Sequence, residues 1–328
     1  VLSFILKRLL AIVPTILIIS VVVFVVIQLP PGDFLTSYVM RLEQEGARIP
    51  PERVEQLRRQ YGLDQPGYVR YFKWMSNILF RGDLGFSFEH GRPVNELIWE
   101  RLALTIVVSF TSMLFTWVVS FMIGFYSATH QYSLGDYVAT FIGFIGLATP
   151  NFVLALVLMW LSYTRFGYSY GGLFSPEFAI APWSVAKLLD MLQNLWLPVI
   201  VIGTAGTAGL IRILRANLLD ELQKPYVVTA KAKGLSNVRL VLKYPLRIAL
   251  IPFISTAGWM LPNLVSGSVI TAVVLNLPTT GPMMLQALQS QDMYLAGSFI
   301  LFLSLLTVIG TLVSDILLAL LDPRIRYS

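Results

Sequence analysis

The sequence predicts an all-α polytopic membrane protein with six transmembrane helices and both termini in the cytoplasm. An extracytoplasmic subdomain is expected between spans 1 and 2, and a short cytoplasmic helix between spans 4 and 5. Three observations carry this. Of 328 residues, 56% are hydrophobic and only 13% charged, roughly half the charge of a soluble domain. The apolar residues fall in runs near the spanning length of about 20 residues. The basic residues gather in one polar stretch, 212–247, between two such runs.

The first run, Leu9 to Leu29, follows Lys7 and Arg8. It has spanning length and no small-residue cleavage site after it, so it reads as an uncleaved first span (residues 1–29) with its N-terminus inside. Pro14 falls within it, a position that membrane helices tolerate. Residues 30–101 form the one long polar section, with helix-forming runs such as Pro51 to Tyr61 separated by Gly62, Pro66, Gly82 and Gly85. Long loops translocate whatever their charge, so this section reads as the extracytoplasmic subdomain.

Residues 102–328 form a five-span core. Leu102 to Ala128 runs inward, and the turn Thr129 to Asp136 holds His130 but no Lys or Arg. Tyr137 to Tyr163 returns outward, broken by Pro150. The Gly-, Pro- and aromatic-rich segment from Thr164 to Asp190 reads as an outer loop or a re-entrant piece at the interface. Leu195 to Ile211 goes inward, with Gly203, Gly206 and Gly209 as a small-residue stripe for close helix packing. Ile248 to Leu275 goes out, Asn276 to Leu295 is an outer loop, and Ala296 to Leu321 comes back.

Within the loop 212–247, Tyr226 to Lys233 reads as a short helix. Gly234 ends it, because glycine reaches a left-handed cap without strain. Ser236 then caps a second helix running towards Pro245. A strongly basic helix–Gly–helix elbow on a transmembrane core looks like a docking surface for another protein.

Several chemistries are missing. There is no cysteine, hence no disulfide, thiol nucleophile or thiolate metal site. Two histidines, His90 and His130, are too few and too isolated for a metal centre. No GxxxxGK[ST] loop is present to cradle ATP phosphates. The net charge of +6 reports cytoplasmic loops, not a nucleic-acid partner. Ser266 and Ser268 read as small residues of a packed helix, not as protease nucleophiles. Asp315 is the one acid inside a hydrophobic run, with a structural partner such as Arg324 or a gating role as alternatives. A transporter without intramembrane ion ligands draws its energy from elsewhere.

At the elbow, Tyr226-Val227-Val228-Thr229-Ala230-Lys231-Ala232-Lys233-Gly234-Leu235-Ser236 resembles the cytoplasmic loop of permease subunits of ATP-binding-cassette importers. That family's motif reads Glu-Ala-Ala, three residues, Gly. Here Val228, Thr229 and Ala230 fill the first three places and Gly234 the last. The resemblance is to the oligopeptide/dipeptide/nickel branch and covers nearly the whole chain. It includes Pro31-Gly32-Asp33, Tyr61 to Pro66, Gly82-Asp83-Leu84-Gly85-Phe86-Ser87, Pro150-Asn151-Phe152 and Leu321-Asp322-Pro323-Arg324-Ile325-Arg326.

The resemblance implies that Tyr226 to Gly234, with Leu235 following, is a coupling helix seated in a groove of a cytoplasmic ATPase. Gly234 makes the turn, and small Thr229 and Ala230 permit close docking. Lys231 and Lys233 either pair with acidic rims or serve as topology signals. It further implies a second homologous permease in a heterodimer, two ATPase subunits that carry the Mg-ATP, and an extracytoplasmic solute-binding protein. This chain would hold no cofactor and catalyse nothing, as half of a pore in a bacterial or archaeal cytoplasmic (inner) membrane. Departures at Ala272, Gln291-Asp292 and Pro278-Thr279-Thr280-Gly281 bear on the solute, for which peptides come first and oligosaccharides second. The competing readings are a stand-alone secondary transporter or channel, which would want intramembrane charges or inverted repeats, and an intramembrane hydrolase.

Overall fold

A computed structural model describes residues 2–28, 34–44, 46, 50–60, 62, 64–87, 89–167, 171–256, 263 and 269–321. The described residues are mostly helical. Four of their helices are long and apolar enough to cross a membrane: Leu10–Gln28, Val94–Thr129, Trp196–Leu222 and Met293–Val313. A bent helix pair makes up to five. The middle of the expected fifth span, Ile248 to Leu275, falls on residues 257–268, and apart from residue 263 these, Ser266 and Ser268 included, lie outside the described residues.

The chain divides into two compact units. The smaller holds Leu9–Thr105 and Thr279–Leu305, and the larger Val1–Arg8, Ile106–Pro278 and Leu306–Ser328. The smaller unit starts with most of α1 (Leu2–Gln28), which runs through Pro14 without a break. Then come α2 (Phe34–Gln44), α3 (Pro51–Gln60), α4 (Gly67–Ser76), a π-turn (Asn77–Arg81) and a hairpin of β1 (Phe86–Ser87) and β2 (Arg92–Pro93). Helix α5 (Val94–Thr129) begins eight residues before the span expected from Leu102, because Asn95 in its first turn binds the preceding loop. The Asn95 amide donates to the Gly82 carbonyl at 2.6 Å and accepts from the Leu84 N–H at 2.9 Å.

Where the sequence suggested only an outer loop after Leu275, α15 (Thr280–Gln289) forms before α16 (Met293–Leu321). Its buried Met283 and Ala287 join Leu84, Val94, Leu97, Ile98, Leu295 and Phe299 in one core. Asp292, fully buried, starts α16: it accepts from the Leu295 N–H at 3.2 Å as an N-cap does, and from the Ser87 hydroxyl at 2.6 Å. The hairpin is thereby pinned to the helix start.

In the larger unit the chain continues through α6 (Leu134–Ala148), α7 (Asn151–Phe166), α8 (Pro176–Ala179), α9 (Val185–Asn194) and α10 (Trp196–Leu222). After these come α11 (Pro225–Ala232), α12 (Asn237–Lys243), α13 (Pro245–Ser255) and α14 (Val269–Val274). Where the sequence reading has one span broken at Pro150, α6 and α7 meet at 105°. Pro150 lacks an N–H and pushes Thr149 to extended backbone (φ −90°, ψ 119°), so one helix ends and another starts.

Helix α10 is central, packed on α6, α7, α9 and α13. Its Gly203 lets the backbones of α5 and α10 touch. A Cβ there would lie 2.6 Å from the Phe115 ring and 3.2 Å from the Ser112 carbonyl. The Thr116 hydroxyl donates to the Gly203 carbonyl at 2.8 Å and the Ser120 hydroxyl to that of Thr207 at 3.1 Å. One turn further on, a Cβ on Gly124 would lie 3.2 Å from the Ile211 carbonyl. Of the glycine stripe, Gly203 packs on the Ser112, Thr116, Ser120, Gly124 face of α5, whereas Gly209 faces open space.

Two outcomes follow. Gly203→Ala should cost about 1–3 kcal/mol by overpacking while Gly209→Ala costs nothing measurable, read as melting temperatures of the detergent-solubilised chain. Burial is the larger effect on the Asp292 carboxyl and raises it above the usual range, against the hydrogen bonds from Ser87, Leu295 and Glu89 and the charge of His90. A raised folded-state value means a penalty above that value which is relieved as pH falls through it. Mild acidification should therefore raise the wild-type melting temperature relative to Asp292→Asn; equal shifts in both would refute the assignment.

Candidate functional site

The elbow grows out of α10. The polar residues from Arg212 on do not leave the helix, because Leu214 and Leu218, both fully buried, continue its inward stripe and the helix runs on to Leu222. The chain turns at Gln223 and at extended Lys224, and Pro225 takes the first position of α11, where its missing N–H costs nothing. The expected helix over 226–233 is thus present as Pro225–Ala232. The Thr229 hydroxyl donates back to the Pro225 carbonyl at 3.0 Å.

The far end of α11 closes as a Schellman motif. The Leu235 N–H donates to the Ala230 carbonyl at 3.4 Å and the Gly234 N–H to that of Lys231 at 3.0 Å, with Gly234 at φ +82°. Ser236 holds the N-cap position of α12 through its backbone, its carbonyl accepting from Leu240 at 2.9 Å; its side chain makes no capping bond. Tyr244 then bends the chain, and Pro245 opens α13.

These helices have two faces. Val227 and Ala230 of α11 point inward, as do Leu240 and Val241 of α12, and the two helices pack on each other. Val228, Thr229, Lys231, Lys233 and Gly234 point out to solvent, with Leu235 half-buried. On α12, exposed Val238 and Leu242 share an open groove with Ser236, Arg239 and Lys243. The outward surface is therefore small and apolar at its centre and cationic at its edges. Tyr226 lies at the margin, its hydroxyl donating to the Glu221 carboxylate at 2.5 Å. Burial first, then that carboxylate, holds its phenol above the usual range. The hydroxyl stays protonated and ties α11 to the end of α10.

One element escaped the sequence reading. Arg215 forms a two-bond fork on Asp136, Nε to Oδ1 at 3.0 Å and Nη2 to Oδ2 at 2.8 Å, with the carboxylate 3% exposed. Asp136 also accepts from the Tyr132 N–H at 3.1 Å. The pair fastens the root of the elbow to the 129–136 turn. Its only sequence signal was a lone acid in a turn without Lys or Arg. Asp315, far along the chain in α16, is half-buried and does have an interaction partner; Arg324 lies outside the described residues. Among the described residues no group of three His, Cys, Asp or Glu is placed to hold a metal ion. What the elbow offers is an exposed surface of small and apolar residues edged by Lys231, Lys233, Arg239 and Lys243.

Residues 120–327 match the family model described as binding-protein-dependent transport system inner membrane component, and residues 1–110 match that of its N-terminal region. The chain is 36% identical over 329 residues to an oligopeptide transport system permease protein of Bacillus subtilis, covering 99% of each. It is 30% identical to a dipeptide transport system permease protein of Alkalihalophilus pseudofirmus, covering 99% of this chain and all of that one. It is 32% identical to a glutathione transport system permease protein of Escherichia coli, over the full length of both. A methionine ABC transporter in inward-facing form superposes with a TM-score of 0.48 at 15% identity, over 70% of this chain and 96% of that one.

Gly234→Val tests the cap. A β-branched residue in the left-handed region costs about 1–2 kcal/mol, so amides of 226–233 should exchange with solvent on the order of tenfold faster. Unchanged exchange would show that the cap does not hold α11.

Proposed function

The chain belongs to the membrane-embedded permeases of binding-protein-dependent ABC importers, and from that premise we propose that α11 is the coupling helix through which ATPase subunits drive it. The two-faced geometry of the elbow carries this reading. Val227 and Ala230 anchor it inward, while Val228, Thr229, Lys231 and Lys233 are offered outward beyond a rigid cap. A groove on an ATPase would take Val228 and Thr229, and its acidic rim Lys231 and Lys233. Closure of two ATPases around Mg-ATP would then move the elbow and shift the permease between inward- and outward-facing states by differential binding. No cofactor is assigned to this chain, and no catalysis.

The proposed topology has six spans with both ends and the elbow in the cytoplasm of a bacterium or archaeon, and residues 30–101 facing outward. A second permease completes the pore as a heterodimer, and an extracytoplasmic binding protein delivers the solute. Oligopeptides or dipeptides are the proposed solute, by the names of the relatives at 36% and 30% identity, with oligosaccharides second. Asp315 is assigned a structural role in the last span, consistent with its having a partner.

Val228→Glu tests coupling directly. In the co-purified complex reconstituted in lipid, it should cut ATPase stimulation by solute-loaded binding protein by about a hundredfold or more, because an unpaired carboxylate buried at an interface costs several kcal/mol. Full stimulation with an intact complex would overturn the assignment of α11. Solute uptake by the purified chain alone, driven by a gradient, would favour a secondary transporter.

A further inference from the structure

The smaller unit contains a cleft that the elbow reading leaves unused. About 350 Å³ in volume, it falls in the range of small-molecule sites. One face of α4, continued by the first residue of the π-turn, forms a wall: Arg70, Lys73, Trp74 and Asn77, at spacings that share a helix face. The loop and hairpin that follow contribute Asp83, Gly85 and Phe86, and α16 contributes Tyr294.

The walls are fixed. Trp74 is 6% exposed. Gly85 sits at φ +100°, so close to Tyr294 that a Cβ would lie 2.9 Å from its ring, and only glycine allows that approach. Asp83 is held by its own turn, its Oδ1 accepting from the Gly85 N–H at 2.9 Å. The Lys73 ammonium reaches over the Gly62 backbone, 3.9 Å from where a Cβ would stand.

The charges in this cleft do not neutralise one another. Among the described residues neither Arg70 nor Lys73 has a carboxylate within ion-pair distance, nor does Asp83 have a cation. The described side-chain hydrogen bond of Arg70 is a 3.7 Å contact to the Met293 sulfur. Two cations on one wall and a carboxylate on another, with aromatic rings in the lining, define a ligand that carries both signs and an apolar body.

We propose that this cleft binds a small zwitterion, a free amino acid or short peptide. Its carboxylate meets Arg70 and Lys73, its ammonium meets Asp83, and its side chain lies among Trp74, Phe86 and Tyr294. The site does not rest on the coupling reading, since all its residues are in the smaller unit and its assay contains neither ATPase nor binding protein. Failure here leaves the elbow standing, and failure of Val228→Glu leaves this cleft standing.

The test is calorimetric titration of the full chain in lipid nanodiscs with glycyl-phenylalanine, its N-acetyl form and its C-terminal amide. The free dipeptide should bind saturably, with each cap weakening binding by about tenfold, the worth of one charge-assisted hydrogen bond. Arg70→Gln should abolish the penalty for the amide only, and Asp83→Asn that for the acetyl form only. Asparagine keeps the oxygen that accepts from Gly85, so the turn survives the change. Absence of saturable binding up to about 10 mM, equal binding of the capped forms, or a penalty pattern unmoved by either substitution would overturn the proposal.

Discussion

The close approach of α5 and α10 at Gly203 is the constraint on which the larger unit depends. In lipid, apolar side chains gain little by meeting each other, since the surrounding chains are equally apolar. Association must come from backbone proximity and hydrogen bonds, and this seam has both. The hydroxyls of Thr116 and Ser120 reach carbonyls on the other helix only because Gly203 and Gly124 carry no side chain there. With α10 set against α5, its remaining faces are free for α6, α7, α9 and α13.

The elbow inherits its position from this seam. Because α10 continues unbroken to Leu222, α11 begins after a turn of only Gln223 and Lys224. The Arg215–Asp136 fork holds that end of α10, and the Tyr226–Glu221 bond holds the start of α11. A recognition surface of small residues has few contacts of its own to fix its direction. Here the direction is set by a helix, an ion pair and a glycine cap.

Much of this was legible in the chain, for identifiable reasons. Gly234 and the small, basic run before it announced α11 and its end, because the left-handed cap has a strong residue preference. Pro150 announced a break but not its 105° size, since proline removes a hydrogen bond without stating where the next helix goes. The apolar span reads as ending at Ile211 because Arg212 and Arg215 look like a membrane boundary; that the helix itself runs on to Leu222 follows from the buried spacing of Leu214 and Leu218. Helix α15 was missed because Pro278, Gly281 and Pro282 resemble a turn, while Pro282 sits in a first helical turn that needs no N–H there. The partner of Asp136 lay 79 residues away, beyond any local pattern. The zwitterion cleft was illegible for the same reason: its Asp83 and Gly85 belong to a recognisable motif, but nothing local brings Tyr294 beside them.

The continuity of α10 also has a mechanical meaning. At 1.5 Å per residue its 27 residues make a rod of about 40 Å, touched most tightly about a quarter of the way along, at Gly203, and carrying the elbow at its far end. Such a rod is a lever with a fulcrum nearer one arm. A tilt too small to break the hydroxyl contacts at the fulcrum sweeps the long arm through a larger arc, and the same geometry run backwards turns a push at the elbow into a small, forceful displacement at the opposite end.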